Sequence, residues 1–322
     1  MLKIAFFALG IIIIVLTVFA FGAEGVITAI ASANYFYIAL AFLTYILTIA
    51  LLTARMKVIC KIPYKEAAKI VFSGLFFNVV TPIAKIGGEP AKIYMLKGRY
   101  GTSKSTAFVF LDTIVELLVS FMVFVVIMVV FAGSLPKFLL PSFIVFTVII
   151  AIIFVVFLKI CLSHGWSEKI TRRLIKFVSR FRKVEDKGYA RAFTDSFRLL
   201  VGDGKLLAGT SGITLGTKIL EFLRLWLVFM AFGISLPLDV ILLVWVVFLV
   251  LYMMPWLPGG LGIVEAGGAG AFIFFGVQNS IAVSGVLIER LITFWFVIVV
   301  GIAFGMTKLI KKGEKNAAAA AV

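Results

Sequence analysis

Long apolar runs separated by short polar connections set the pattern of this chain. A bilayer-crossing helix needs about 20 apolar residues. Six runs approach or exceed that length, at roughly 4–21, 36–54, 106–131, 138–158, 206–233 and 283–307. Two further apolar regions, 63–98 and 237–276, are interrupted near their middles by Pro and Gly, which break helices. A basic segment follows the fourth run, at 159–205, with Lys and Arg interleaved among Ile, Leu, Phe and Val. Part of it reads as amphipathic helix on a membrane surface, its second half equally as a solvated loop. The pattern predicts an all-α polytopic membrane protein with six full spans and two broken, re-entrant hairpins. It places them in a single membrane domain over 1–315, followed by a low-complexity tail at 316–322.

Composition narrows the class further. Apolar residues make up 63% of the 322 positions and charged residues 14%. That balance leaves too little polar surface for a soluble domain or a disordered chain. The runs are continuous where an outer-membrane barrel strand would alternate. The first run follows Lys3 and resembles a signal peptide, but no small-x-small cleavage pattern leading into a polar domain comes after it, so it reads as a span.

Charge sets the sides. The formal net charge is +16, from 31 Lys and Arg against 15 Asp and Glu. With both termini, 55–104 and 159–205 on the cytoplasmic side, every basic residue except Lys137, Lys218, Arg224 and Arg290 lies there. A cytoplasmic (inner) membrane protein with both ends inside is expected, its basic loops meeting anionic headgroups and not nucleic acid. Cys60 and Cys161 fall in basic loops, where a disulfide or metal role is not expected, and His164 is the only histidine.

The chain also repeats itself. Pro82 precedes Glu89 by the same spacing that separates Pro258 from Glu265. Each Glu is followed, at nearly equal distance, by an acid inside the next full run: Asp112 in the first copy and Glu289 in the second. Ile62-Pro63 and Leu236-Pro237 open the two broken regions. The copies, about 36–131 and 206–307, would enter the membrane from opposite sides. Inverted repeats whose broken helices meet near the midplane are an architecture of alternating-access carriers.

These motifs carry a family resemblance. P-x-x-x-I-G-G-E-P-A-K at 82–92, Leu111-Asp112, and L-P-G-G-L-G-I-V-E-A at 257–266 resemble the transmembrane region of lysylphosphatidylglycerol synthase/flippase proteins, over roughly 5–308. Lys92 stands where the family pattern leads one to expect Arg, and Thr113 follows Asp112 where Arg is usual. The resemblance implies translocation of a polar lipid from the cytoplasmic to the outer leaflet. It implies no aminoacyl transfer, because no soluble transferase domain follows Lys315 in this sequence.

The charges inside apolar runs are the candidate site, since each is costly in hydrocarbon without a partner or a wet cavity. Lys92, Lys218, Arg224 and Arg290 could neutralise a lipid phosphate. Gly87, Gly88, Gly259, Gly260 and Gly262 would allow close backbone approach to helix amino termini that donate N–H groups. Glu89, Asp112, Glu116, Glu221, Glu265 and Glu289 would tune charge or couple protons. Glu89 and Glu265 could equally cap the half-helices that follow. The structural alternative has Asp112 and Glu116 neutralise Lys218 and Arg224 across helices, holding the bundle together. The glycines from Gly267 to Gly270, and Gly301 with Gly305, read as helix-packing positions.

No nucleotide loop, nucleophile elbow or His/Cys cluster is present, so neither cofactor nor metal is expected. The expectation is a non-enzymatic carrier whose partners are anionic or zwitterionic membrane lipids, compatible with a homo-oligomer. The competing readings are an intramembrane enzyme acting on a lipid phosphate, a small-solute transporter, and a non-catalytic scaffold.

Overall fold

A computed structural model describes residues 2–20, 22–81, 87–131, isolated positions between 133 and 155, 188–253 and 258–303. The run expected as a span at 138–158, the basic segment through 187, and the tail after 303 fall largely or wholly outside the described residues. So do 82–86 and 254–257 within the two interruptions.

Every regular element among the described residues is helical. In order they are α1 (Leu2–Ala20), α2 (Ala23–Ser32), α3 (Tyr35–Cys60), α4 (Tyr64–Val80), α5 (Gly88–Val130), α6 (Tyr189–Gly202), α7 (Gly204–Met230), α8 (Leu238–Met253), α9 (Ile263–Phe274), α10 (Asn279–Arg290) and α11 (Phe296–Ala303). A π-helical turn, Leu291–Trp295, joins α10 to α11. Tyr35–Cys60, Gly88–Val130 and Asn279–Ala303 are long and apolar enough to cross a membrane. Gly204–Met230 matches them in length but carries Lys218, Glu221 and Arg224.

Glycine and proline account for the boundaries. Gly22 takes φ +93°, and the helices on either side of it meet at 92°. The run read from the sequence as one simple span is therefore followed at once by a second helix, α2. Pro63 sits at the N-cap of α4 and Pro237 just before α8, as the Ile-Pro and Leu-Pro landmarks suggest. Within α5, Gly101 has φ +73° and ψ +166°, which divides the helix at the polar gap expected between 98 and 106.

The chain divides into two compact units. The first comprises Met1–Lys57, Ile62–Lys92 and Leu215–Val322. Its core holds Tyr45, Phe76, Phe229, Phe248 and Phe272 among buried aliphatic side chains. Within it α8, α9 and α10 pack in succession, α2 lies on α10, and α4 lies on α11. The small residues make this packing close. A Cβ on Gly301 would collide with the Phe76 ring, and one on Gly268 with Phe248. One on Gly267 would come within 2.8 Å of Leu251. These are the helix-packing roles expected of them, whereas Gly270 faces open space.

The second unit comprises Val58–Lys61 and Ile93–Thr214. Here α6 presents Phe193 and Phe197 to Phe110 of α5, at ring distances of 5.6 and 5.3 Å. Tyr189 shares a 2.7 Å hydrogen bond with Thr106. The end of the basic segment is thus an amphipathic helix with its apolar face packed on protein. Tyr100 donates to the carbonyl of Cys60, whose side chain is buried.

Candidate functional site

The second interruption is built by three left-handed glycines. Gly259, Gly260 and Gly262 have φ of +57°, +71° and +82°, a region other residues enter only at a cost. They let the chain turn between α8 and α9 in very little space. A Cβ on Gly259 would strike the Phe294 ring and come within 3.2 Å of the Val79 carbonyl. Val79 belongs to the last turn of α4, and α4 packs against the Pro258–Gly260 turn. The end of the first arm, where the first interruption begins, therefore abuts the second interruption.

Glu265, in the first turn of α9, has two tasks. Its Oε2 accepts the backbone N–H of Gly262 at 2.7 Å, capping the helix. Its Oε1 accepts from Arg290 Nε, also at 2.7 Å. The pair is deeply buried, with Glu265 2% and Arg290 3% exposed. Arg290 uses its remaining nitrogens as well. Nη2 donates to the Gly259 carbonyl at 2.8 Å and Nη1 to the Tyr252 hydroxyl at 3.3 Å. Its guanidinium also lies 4.4 Å from the centre of the Phe294 ring. Arg290 thus ties α10 to both sides of the glycine turn.

Glu289 is the next residue back and points elsewhere, because neighbours on a helix are set about 100° apart. Both of its carboxylate oxygens accept from Arg224 Nε, at 3.0 and 3.1 Å. Arg224 is one of the two bases that the structural alternative pairs with Asp112 and Glu116. Its ion pair is with Glu289, and the Tyr45 ring lies 5.4 Å from its guanidinium carbon. The Tyr45 hydroxyl donates to the Thr293 carbonyl at 3.1 Å, inside the π-helical turn where regular helix hydrogen bonding is interrupted. One turn earlier on α7, Lys218 bonds Glu221 at 3.1 Å, and Glu221 also accepts from Trp245 Nε1 at 2.9 Å.

Three ion pairs therefore line one region of the first unit: Lys218–Glu221, Arg224–Glu289 and Arg290–Glu265. Their formal charges cancel. A lone charge at the centre of a bilayer is expensive, so this alternation is what makes six ionised groups tolerable in an apolar bundle. Lys218, Arg224 and Arg290, three of the four cations read from the sequence as a headgroup cradle, each hold a carboxylate here.

The first interruption supplies a separate cluster. The Gly88 N–H donates to Asn78 Oδ1 at 2.7 Å, so an α4 side chain serves the amino end of α5. Gly87 and Gly88 leave no room for a Cβ, against Thr81 for the first and the Gly74 carbonyl and Asn78 for the second. Glu89 stands in the first turn of α5 and is half-buried. Lys92 lays its aliphatic stem across Gly74. Asp112 and Glu116 belong to the second unit, the first buried and the second half-buried.

Tyr45, Asn78, Trp245 and Tyr252 were not anticipated from the sequence. Their only sequence signal is a hydrogen-bonding group inside an otherwise apolar run. Among the described residues no group of three or more His, Cys, Asp or Glu could hold a metal ion.

Buried ion pairs in an apolar helical bundle, set beside a glycine-built helix break, define a helical membrane protein. The chain belongs to the lysylphosphatidylglycerol synthase transmembrane-region family, whose model matches residues 2–301. It is similar to a UPF0104 membrane protein of Methanothermobacter thermautotrophicus, 28% identical over 92% of each chain. A second such protein, from Pyrococcus horikoshii, is 26% identical over 94% of this chain and 96% of its own.

Proposed function

We propose that this chain is a flippase-like carrier, passing the polar headgroup of a lipid across the cytoplasmic membrane while the hydrocarbon tail stays in the bilayer. The observation that carries this reading is the network of Lys218–Glu221, Arg224–Glu289 and Arg290–Glu265 within an apolar bundle. A purely structural bundle gains little from ion pairs that apolar side chains could replace at no loss. A carrier needs them, because a polar headgroup in transit requires groups that can exchange partners.

The order of elements supports an inverted repeat. In the first half a long helix (α3), an arm (α4), a glycine interruption and a second arm lead across Gly101 into a long helix. In the second half α7, α8, the glycine interruption and α9 lead across a short break into α10 and α11. In this reading the two halves cross the membrane in opposite directions, with both termini in the cytoplasm. The contact between α4 and the Pro258–Gly260 turn fits interruptions that meet inside the bundle. Transport, and no bond-making, is the activity assigned.

The test is a leaflet-accessibility assay. Purified protein is reconstituted into vesicles holding a trace of headgroup-matched fluorescent lipid, and a membrane-impermeant quencher reports the accessible fraction. Protein-containing vesicles should lose fluorescence beyond the outer-leaflet half, and protein-free vesicles should not. No movement of phosphatidylglycerol, phosphatidylethanolamine or a polyprenyl phosphate would remove the reading. Chemically altered lipid recovered after incubation would replace it with an enzymatic one.

A further inference from the structure

The two buried arginines differ in one respect. Arg290 has an acceptor at every nitrogen, Nε, Nη1 and Nη2. Arg224 spends only Nε, whose N–H is shared by the two oxygens of Glu289. Its Nη1 is buried and has no hydrogen-bond partner. The residue is 7% exposed. Buried polar groups in native proteins nearly always find a partner, and a guanidinium N–H is among the costliest to leave without one. An unfilled donor of this kind marks a place for an oxygen atom that the protein itself does not supply.

The geometry points to a division of labour: Arg290 is a structural tie, and Arg224 is the group that receives an oxyanion of a phosphate, through Nη1. This rests on the carrier reading above and sharpens it by naming the recognised chemistry, a phosphate oxygen. The guanidinium suits the task. It stays charged in any surroundings, and its donors form a rigid fork, so Nε can hold Glu289 while another edge takes a second acceptor. Glu289 then acts as counter-ion, keeping the site neutral when empty and competing with the incoming anion. The aromatic face of Tyr45 helps confine the guanidinium. Lys218, which holds Glu221, is a compact point charge without such a fork.

The test is equilibrium binding to the purified full chain in detergent, followed by calorimetry. The probes are dioctanoyl phosphatidylglycerol, inorganic phosphate, and dioctanoyl glycerol, which lacks the phosphate. Misfolded protein lowers the binding stoichiometry, whereas loss of a contact raises Kd. Arg224→Lys keeps a charge beside Glu289 and removes the fork, and should weaken phosphatidylglycerol binding by about tenfold. Glu289→Gln removes the competing carboxylate and should tighten it, a gain that a merely structural ion pair would not give. Inorganic phosphate binding as tightly as phosphatidylglycerol would make the ligand a free phosphate. Phosphatidylglycerol binding much more tightly than inorganic phosphate would make it a lipid headgroup.

Equal Kd for wild type and Arg224→Lys would overturn the assignment. So would phosphatidylglycerol and inorganic phosphate both binding no better than dioctanoyl glycerol. The two readings fail separately. Lipid movement in vesicles with Arg224-independent binding sinks the assignment alone, and Arg224-dependent binding without lipid movement sinks transport alone.

Discussion

Glu265 and Arg290, separated by 25 positions in the chain, meet at 2.7 Å with both side chains almost wholly enclosed. The same carboxylate caps Gly262, so one acid fixes both the start of α9 and the placement of α10. Glu265→Ala would leave a buried guanidinium uncompensated and a helix uncapped. It should cost about 3–5 kcal/mol in denaturant unfolding in detergent. Glu265→Gln, which can still accept the Gly262 N–H, should cost less.

The Arg224–Glu289 pair should behave as a coupled unit. Arg224→Met and Glu289→Leu should each destabilise the protein, because each strands a charge in an apolar core. The double variant should be more stable than either single one, since an apolar pair needs no neutralising partner. Unfolding of all four proteins in one detergent gives the coupling energy. Additive losses would show that the two side chains do not depend on each other.

The glycines make opposite predictions according to their surroundings. Gly301→Ala would put a methyl group onto the Phe76 ring and should cost about 1–3 kcal/mol through overpacking. Gly270→Ala meets nothing within 4 Å on an exposed helix face and should raise stability by about 0.4–1 kcal/mol. The same unfolding measurement checks both signs.

Tyr45→Phe keeps the ring beside Arg224 and removes only the hydroxyl that reaches the Thr293 carbonyl. It should cost about 1 kcal/mol, the worth of one neutral hydrogen bond. Hydrogen exchange should show the loss concentrated at Leu291–Trp295. Exchange unchanged in that turn would mean that its amide protection is independent of the hydroxyl.

The helical class and both interruptions were legible in the sequence because they are local properties. Apolar run length predicts helices, and Pro63, Pro237 and the Gly259-Gly260-x-Gly262 pattern mark where they start and turn. The capping role of Glu265 could be read as well, since it depends only on position in the first turn. Partner choice could not. Glu289 and Arg290 are adjacent in sequence, and nothing local says that one reaches α7 while the other reaches α9. That outcome depends on how the helices pack around α10. Tyr45, Asn78, Trp245 and Tyr252 escaped for the same reason, their polar atoms being a small part of long apolar stretches. The bend at Gly22 was missed because an apolar run reads the same whether or not a second helix leaves it at 92°.

If the buried Arg224–Glu289 pair is the working centre of the protein, lipid movement by Arg224→Lys against wild type shows it most directly. With equal amounts of folded protein in matched vesicles, the variant should move headgroup-labelled lipid about tenfold more slowly or worse. Equal rates would contradict this, leaving the Arg224–Glu289 pair a structural tie with no part in transport.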